Sequence, residues 1–297
     1  MRYVVITPVR NEGDYVGATI ESMVRQTILP SQWVVVDDGS TDGTPAILAA
    51  AAERYSWITV VRRRDRGFRK SGGGVVEAFD EGRAAVRVDD WEFLVKLDGD
   101  LTFEADYFER CLRHFAVDSA LGIAGGVVHV QEAGAWKIDS PRDPPFHVRG
   151  ATKIYRRECW KAISPLEARP GWDTIDEVRA NMHGWGTRSL QDVALFQQRG
   201  TGAVDGAWQN WVKNGVANYV TGYHPVFMLG KCLKRAWGVP PVVPGIALWI
   251  GFCSGYVKRL PRMEDRAAIR YLRSQQLRRL FLRYSIYGAP GGKRRPS

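Results

Sequence analysis

Phe93-Leu94-Val95-Lys96-Leu97-Asp98-Gly99-Asp100 reads as a buried strand that ends by delivering two carboxylates to one spot. Paired hard oxygens of this kind suit a cation such as Mg²⁺ or Mn²⁺, whose remaining positions are often filled by substrate phosphates. Gly99 lets the backbone turn sharply between the acids and lets a ligand approach closely. An Asp-Gly-Asp triplet by itself is also compatible with an ordinary acidic turn, so its weight depends on what surrounds it.

Working back towards the N-terminus, Tyr3-Val4-Val5-Ile6-Thr7 reads as a strand and Pro8-Val9-Arg10-Asn11-Glu12 as a loop. Val16 to Gln26 has helical spacing. Trp33-Val34-Val35-Val36 is a second strand, ended by Asp37-Asp38-Gly39-Ser40. Pro45 then opens a helix over Ala46 to Tyr55. Ile58 to Val61 is a third strand, and Val75 to Val88 reads as a helix leading to the strand before Asp98. Strands alternating with helices predict an α/β fold with an open, mostly parallel sheet, in which ligands sit beyond the carboxyl ends of the strands. Three polar clusters, Thr7–Glu12, Asp37–Ser40 and Asp98–Asp100, fall at such ends. Later segments are less regular. Leu121 to Val128 reads as a strand, Gln131 to His147 as loop, Val178 to Met182 as a short helix and Asn218 to Leu233 as an apolar stretch.

The chain of 297 residues, 45% apolar, has room for one large domain plus an extension. Its net charge of +10 is unevenly spread. From Val226 to Ser297 there are 15 Lys and Arg against Glu264 and Asp265, which leaves 27 basic and 30 acidic residues in the rest. The last quarter therefore expects an anionic surface. Cys111, Cys159, Cys232 and Cys253 are scattered without a C-x-x-C pair, which fits a reducing cytosol, and Met1 runs directly into the first strand without a signal-peptide pattern.

These motifs resemble the family 2 glycosyltransferases of the GT-A fold. Thr7-Pro8-Val9-Arg10-Asn11-Glu12 is similar to the family's first-strand motif. Val34 to Thr44 resembles its second, Leu97-Asp98-Gly99-Asp100 its metal and diphosphate motif, and Gly171-Trp172-Asp173 followed by Gly184-Trp185 its base-bearing segment. The resemblance covers residues 1–225, a catalytic domain with a nucleotide-sugar half of about 1–100 and an acceptor half of about 101–225. A helical, basic, membrane-associating extension over 226–297 follows.

The resemblance implies an inverting, metal-dependent transfer of a sugar from a nucleotide-sugar donor, such as a UDP- or GDP-sugar, to a hydroxyl acceptor. Asp38 would accept hydrogen bonds from the nucleobase or ribose, with Thr7, Pro8, Arg10 and Glu12 lining the same pocket. Asp98 would contact ribose or metal, Gly99 would allow close approach, and Asp100 would ligate Mg²⁺ or Mn²⁺ bridging the diphosphate. The basic loop Arg62–Lys70 precedes Ser71-Gly72-Gly73-Gly74 and a helix start, a combination suited to phosphate, with Arg69 or Lys70 adding charge.

The acceptor hydroxyl needs a base. The family's base stands eleven residues before a Gly-aromatic pair, which leads to Asp173, with Trp172 where Glu is usual; Asp176 is the second candidate, and Glu177 fits a helix-start charge. A histidine often completes the family's metal site near 197–199, where this chain has Gln197-Gln198-Arg199; His147, His183 and His224 are other imidazoles to place. Trp136, Trp172 and Trp185 are candidates for stacking on a sugar or for core packing.

Ala236 to Val257 carries no charge, but Pro240, Pro241 and Pro244 leave only Gly245–Val257 uninterrupted, about 20 Å of helix against a hydrocarbon core of about 30 Å. A monotopic or re-entrant segment is expected. Arg266 to Tyr287 reads as a basic amphipathic helix with Ile269, Leu272, Leu277, Leu280 and Tyr284 on one side, suited to an anionic bilayer. The expected setting is the cytoplasmic face of the cell membrane, peripheral or monotopic, with a lipid-linked or envelope-glycan acceptor. No nucleic-acid motif accompanies the charge. A sugar nucleotidyltransferase of similar fold and a non-catalytic membrane-bound scaffold are the competing readings.

Overall fold

A computed structural model describes residues 1–67, 72–132, 134–199, 206–236 and 242–288. Arg69 and Lys70 lie outside the described residues. The first half alternates as its periodicity predicts: β1 (Tyr3–Val9), α1 (Val16–Val24), β2 (Gln32–Asp37), α2 (Thr44–Arg54), β3 (Ile58–Arg62), α3 (Gly73–Ala84) and β4 (Phe93–Leu97). β1 pairs in parallel with β2 and β4, and β2 with β3. The four carboxyl ends therefore share one edge.

The second half adds β5 (Leu101–Phe103), α4 (Tyr107–Val117), β6 (Leu121–Glu132), β7 (Ala135–Ile138), β8 (Thr152–Arg156), α5 (Arg157–Ile163), α6 (Trp172–Met182) and β9 (Gly186–Gln197). The sheet runs β3-β2-β1-β4-β8-β6-β9-β5, with β7 paired to β6. β8 lies antiparallel beside β4, with Lys96 opposite Lys153 and Leu97 opposite Thr152. The stretch expected to be loop after Gln131 contains β7, whose residues are all exposed. The short helix expected from Val178 begins earlier, at Trp172.

Period-two alternation on β1 sends Tyr3 and Val5 to one face, where they pack with α1, α2 and α4, and Val4 and Ile6 to the other, with Val76 and Phe79 of α3 and Trp160 and Trp172 beyond them. Strands buried on both faces read as continuous apolar runs, which is how β2 and β4 look in sequence.

A third layer holds α7 (Gly206–Val220), α8 (Pro225–Ala236), α9 (Val243–Val257) and α10 (Arg266–Leu280). Its core joins Tyr219, Met228, Leu248, Phe252 and Leu272 to Ile175 and Val178 of α6. A division at residue 225 would separate α7 from helices it packs against. α7 and α9 cross at backbone contact: a Cβ on Gly251 would lie 2.1 Å from the Val212 carbonyl oxygen. The apolar stretch from Asn218 is broken by a turn at Thr221–His224. The N-terminal part of the amphipathic face of α10 turns inward, because Leu272 is wholly buried and Ile269 packs against this core, while Leu280 and Tyr284, at and just after the other end, are exposed.

Candidate active site

Each strand end on the parallel edge contributes a polar turn, and side chains lace these turns together. Asp37, at the end of β2, accepts a 2.8 Å bond from the Ser40 amide and so closes the loop holding Asp38. The Ser40 hydroxyl accepts from the Asn11 amide at 2.9 Å, and the Thr44 hydroxyl from the Glu12 amide at 2.9 Å. The turns after β1 and β2 are thereby one unit. Arg10 donates to the Asp38 carbonyl at 2.8 Å and to Asp65 at 2.7 Å. Asp38 itself is buried, with Arg63 on one carboxylate oxygen at 2.6 Å and Arg66 on the other. Its charge is matched, while a carboxylate has lone pairs for further donors.

Thr7 differs from expectation. It shares the parity of Tyr3 and Val5, is fully buried, and its hydroxyl accepts a 2.8 Å bond from the Trp33 indole. Its side chain therefore belongs to the core under the loop and does not line a pocket. Pro8 and Arg10 remain half-buried, and so does Glu12, which pairs with Arg199 at 2.7 Å.

At the end of β4, the Gly99 carbonyl accepts from the Thr19 hydroxyl at 2.8 Å, and a Cβ there would meet Val9 at 2.5 Å, so the turn needs glycine. Asp98 is part-exposed and its carboxylate is bonded by Lys96. Asp100 is 6% exposed, and one of its oxygens accepts from the Gln197 side-chain amide at 3.0 Å. Burial, reinforced by the neighbouring negative charge of Asp98, raises the Asp100 carboxyl to about 6 against the pull of Gln197, Arg199 and Lys96. The Gln197–Arg199 segment thus stands against the acidic turn, with an amide where relatives often carry an imidazole. Among the described residues no cluster of three or more His, Cys, Asp or Glu forms a closed metal site.

Two lysines not singled out from the sequence connect this turn to the first turn of α6. Lys96 and Lys153 face each other across β4 and β8, both buried, with their ammonium groups 5.6 Å and 5.5 Å from the Trp172 ring. Lys96 bonds both Asp98 and the Gly150 carbonyl. The position of a Cβ on Gly150 is 3.3 Å from an Asp173 carboxylate oxygen. Asp98, Lys96, Gly150 and Asp173 therefore form a continuous chain of neighbours. The available signal was Lys96, a single lysine inside an otherwise apolar strand, since lysine is almost never fully buried unless paired; β8 offers no such contrast, because it also carries Thr152 and Arg156.

The two candidate bases separate in environment. Asp176 is buried, accepting from Lys153 at 2.8 Å and from the Tyr155 hydroxyl at 2.6 Å, and burial raises it to about 7. It is enclosed with Glu177, which accepts from Lys153 at 2.8 Å and from the Val148 amide at 2.7 Å and pairs with His147 at 2.9 Å. This network fixes the first turn of α6. Asp173, in the same turn, is half-buried, and its carbonyl accepts from Lys153. Burial would raise its carboxyl, but His147, Lys153 and Arg149 outweigh that and hold it below the usual range, so it is ionised at neutral pH.

Trp172 and Trp185 pack in the core, while Trp136 is exposed with its edge against Phe196 at 5.0 Å. His147 is committed to Glu177, and the His224 amide donates to Gln276 at 2.8 Å.

A parallel-rich sheet with flanking helices, whose strand ends gather Asp38, Asp98 and Asp100 beside the acidic start of α6, is an architecture of the GT-A kind. Residues 4–164, more than half of the chain, match the model for glycosyl transferase family 2, and the chain belongs to that family. Membership of that family sets aside the nucleotidyltransferase reading.

Among similar proteins, the Mycoplasma pneumoniae uncharacterized glycosyltransferase MG025 homolog is 29% identical over 187 residues, covering 56% of this chain and 57% of that protein. Escherichia coli chondroitin synthase is 27% identical over 117 residues, 39% of this chain and 16% of the synthase. The chain thus spans little more than half the length of the first relative and a small part of the second. In fold it is similar to the mannosyltransferase PcManGT from Pyrobaculum calidifontis in complex with GDP-Man and Mn²⁺ (TM-score 0.55, 18% identity, 94% of this chain and 75% of that one). S. aureus TarS 1-349 in complex with UDP-GlcNAc has a TM-score of 0.53 at 14% identity, over 94% of this chain and 81% of the other.

Proposed function

We propose that this glycosyltransferase moves a sugar from a UDP- or GDP-sugar to a hydroxyl acceptor by a single inverting displacement that depends on a divalent cation. The observation that carries this reading is the chain from Asp98 through Lys96 and Gly150 to Asp173, which sets an ionised carboxylate beside the acidic turn.

Asp98 and Asp100 fit a Mg²⁺ or Mn²⁺ ion: two hard carboxylates adjoin closely enough for one to raise the other's pKa, and among the described residues no third carboxylate closes the site against phosphate oxygens. Bound there, the cation would supply Lewis-acid stabilisation of the departing nucleoside diphosphate. Asp38 accepts from the nucleobase or ribose, steadied by Arg63 and Arg66, while Arg10, Pro8 and Glu12 border the same pocket. Asp173 takes the proton of the acceptor hydroxyl as its oxygen attacks the anomeric carbon. The bond from that carbon to the phosphate oxygen breaks on the opposite face, so configuration inverts. Asp176 is assigned to the buried network under Asp173 and not to the base.

The acceptor class we favour is a lipid-linked or envelope-glycan hydroxyl presented at the inner face of the cell membrane. The basic last quarter of the chain supports that setting. The test is Asp173→Asn: donor binding should stay within about twofold of wild type while transfer falls by at least about 100-fold. Normal turnover in that variant would remove Asp173 from the base role.

A further inference from the structure

The apolar side of α10 is divided: Leu272 is buried in the protein, while Leu280 and Tyr284, at and just after its C-terminal end, are exposed. Other helices carry further unburied apolar surface. On α8, Val226, Leu229 and Leu233 are exposed at helical spacing, Leu233 by 58%. On α9, Val243, Ile246 and Ile250 repeat the pattern, Ile246 by 48%. Residues three, four and seven apart lie on one side of a helix, so each helix presents an apolar stripe to solvent.

The turn after α10 joins the α8 stripe. Leu280 comes within 3.9 Å of a Cβ position on Gly230, and Phe281 and Leu282, which follow, are more than 70% exposed at 72% and 74%. Contiguous apolar exposure of this kind marks an interaction surface.

Charge indicates the occupant. Exposed Lys234, Lys258, Arg259, Arg278 and Arg283 lie on or next to the same three helices. From Gly206 to Gly288 the only acids are Glu264 and Asp265. Both are committed elsewhere: Glu264 pairs with Arg169 at 3.2 Å and Asp265 with Arg179 at 3.6 Å, while Asp265 also caps α10 through the Ala268 amide at 2.9 Å. Apolar stripes bordered by basic side chains complement a bilayer with anionic headgroups.

α9, at 15 residues, spans about 22 Å, short of a hydrocarbon core of about 30 Å. Among the described residues no helix is long and apolar enough to cross a membrane.

We infer that the outer faces of α8 and α9, with Leu280–Leu282, form an in-plane docking surface for an anionic bilayer. The inference rests on the proposed membrane setting and says which surface makes the contact. It also relates that surface to the chemistry. α9 packs directly on α7, and the Gly171 that precedes Asp173 sits against α7, a Cβ there meeting the Thr221 hydroxyl at 2.6 Å. A docked enzyme would hold its base-bearing helix one helical layer from the surface that carries a lipid-linked acceptor.

The test is sedimentation of the full chain with vesicles of phosphatidylcholine alone or mixed roughly equally with phosphatidylglycerol, beside the double variant Leu229→Glu, Ile246→Glu. Both positions are about half exposed, so the fold should tolerate the change. Wild type should pellet with the mixed vesicles, release at high salt and ignore the neutral ones. The variant should lose about tenfold or more in binding. Its release of nucleoside diphosphate from a donor in solution should match wild type, so failure of docking and failure of the transferase reading give different results. Equal binding of wild type and variant, or equal binding to neutral and anionic vesicles, overturns the proposal. So does a lipid-free dimer that the variant splits, which would assign the surface to a second copy.

Discussion

Replacing Asp100 by Asn tests the site through the stability of the free protein. Burial and the charge of Asp98 raise this carboxyl from 3.8 to about 6. A carboxyl with a raised folded-state pKa binds its proton more readily in the native state than in the unfolded chain, so its ionised form opposes folding. One pKa unit corresponds to about 1.4 kcal/mol, so a shift of about two units puts the penalty at neutral pH at about 3 kcal/mol. Asn keeps the shape, and its oxygen can still accept the 3.0 Å bond from Gln197.

Asp100→Asn should therefore raise stability by about 1–3 kcal/mol, or about 2–6 °C in Tm, while abolishing metal-dependent transfer. The pH dependence follows from the sign of the shift. The gain is full above about 6, falls as pH drops from there towards 3.8, and vanishes once Asp100 is protonated in both states. Thermal unfolding followed by circular dichroism near neutral pH and near pH 4.5 measures it, and the gain at the lower pH should be about a third of the neutral value. A variant no more stable than wild type at neutral pH, or a gain indifferent to pH, would refute the reasoning.

Lys153→Met should destabilise by about 3–5 kcal/mol, because it strands Asp176 and Glu177 as buried, unmatched carboxylates; adding Asp176→Asn should recover part of that loss in denaturant titrations. Thr7→Val should cost about 1–2 kcal/mol through the orphaned Trp33 indole N–H and leave donor affinity unchanged, whereas a large loss of nucleotide binding would return Thr7 to the pocket. Gly251→Ala should lower Tm with a cost of about 1–3 kcal/mol or more, since its Cβ meets the Val212 carbonyl at 2.1 Å and the α7–α9 crossing must open.

The parallel half of the fold was legible because its strands are apolar runs of the right length, three of them closed by Pro8, Asp37 and Asp98, and its helices carry helical spacing, with Pro45 at the start of α2. That Asp38, Asp98 and Asp100 gather on one edge was legible for a related reason: each follows closely on an apolar strand of the parallel set. β8 and β9 were harder. β8 is five residues with two basic side chains, and β9 alternates weakly, so each is held by pairing with distant strands that local pattern does not announce.

Thr7 was misjudged from motif position, although its parity with Tyr3 and Val5 already placed it under the core. Lys96 and Lys153 were missed because a lysine in sequence reads as solvent-facing, and only the sheet register brings each to its carboxylates. That the N-terminal part of the α10 face meets protein was not legible, because amphipathicity alone does not say whether an apolar side meets lipid or protein. Packing against Ile175 and Val178 decided it.

The central claim is that Asp98 and Asp100 together hold a cation on which donor binding depends. Calorimetric titration of nucleoside diphosphate into the full chain, with Mn²⁺ and with chelator, for wild type and for Asp98→Asn, Asp100→Asn, measures it directly. The account predicts tight binding only with Mn²⁺ and only in wild type, with the double variant matching chelated wild type. Equal affinity in all four titrations would contradict it.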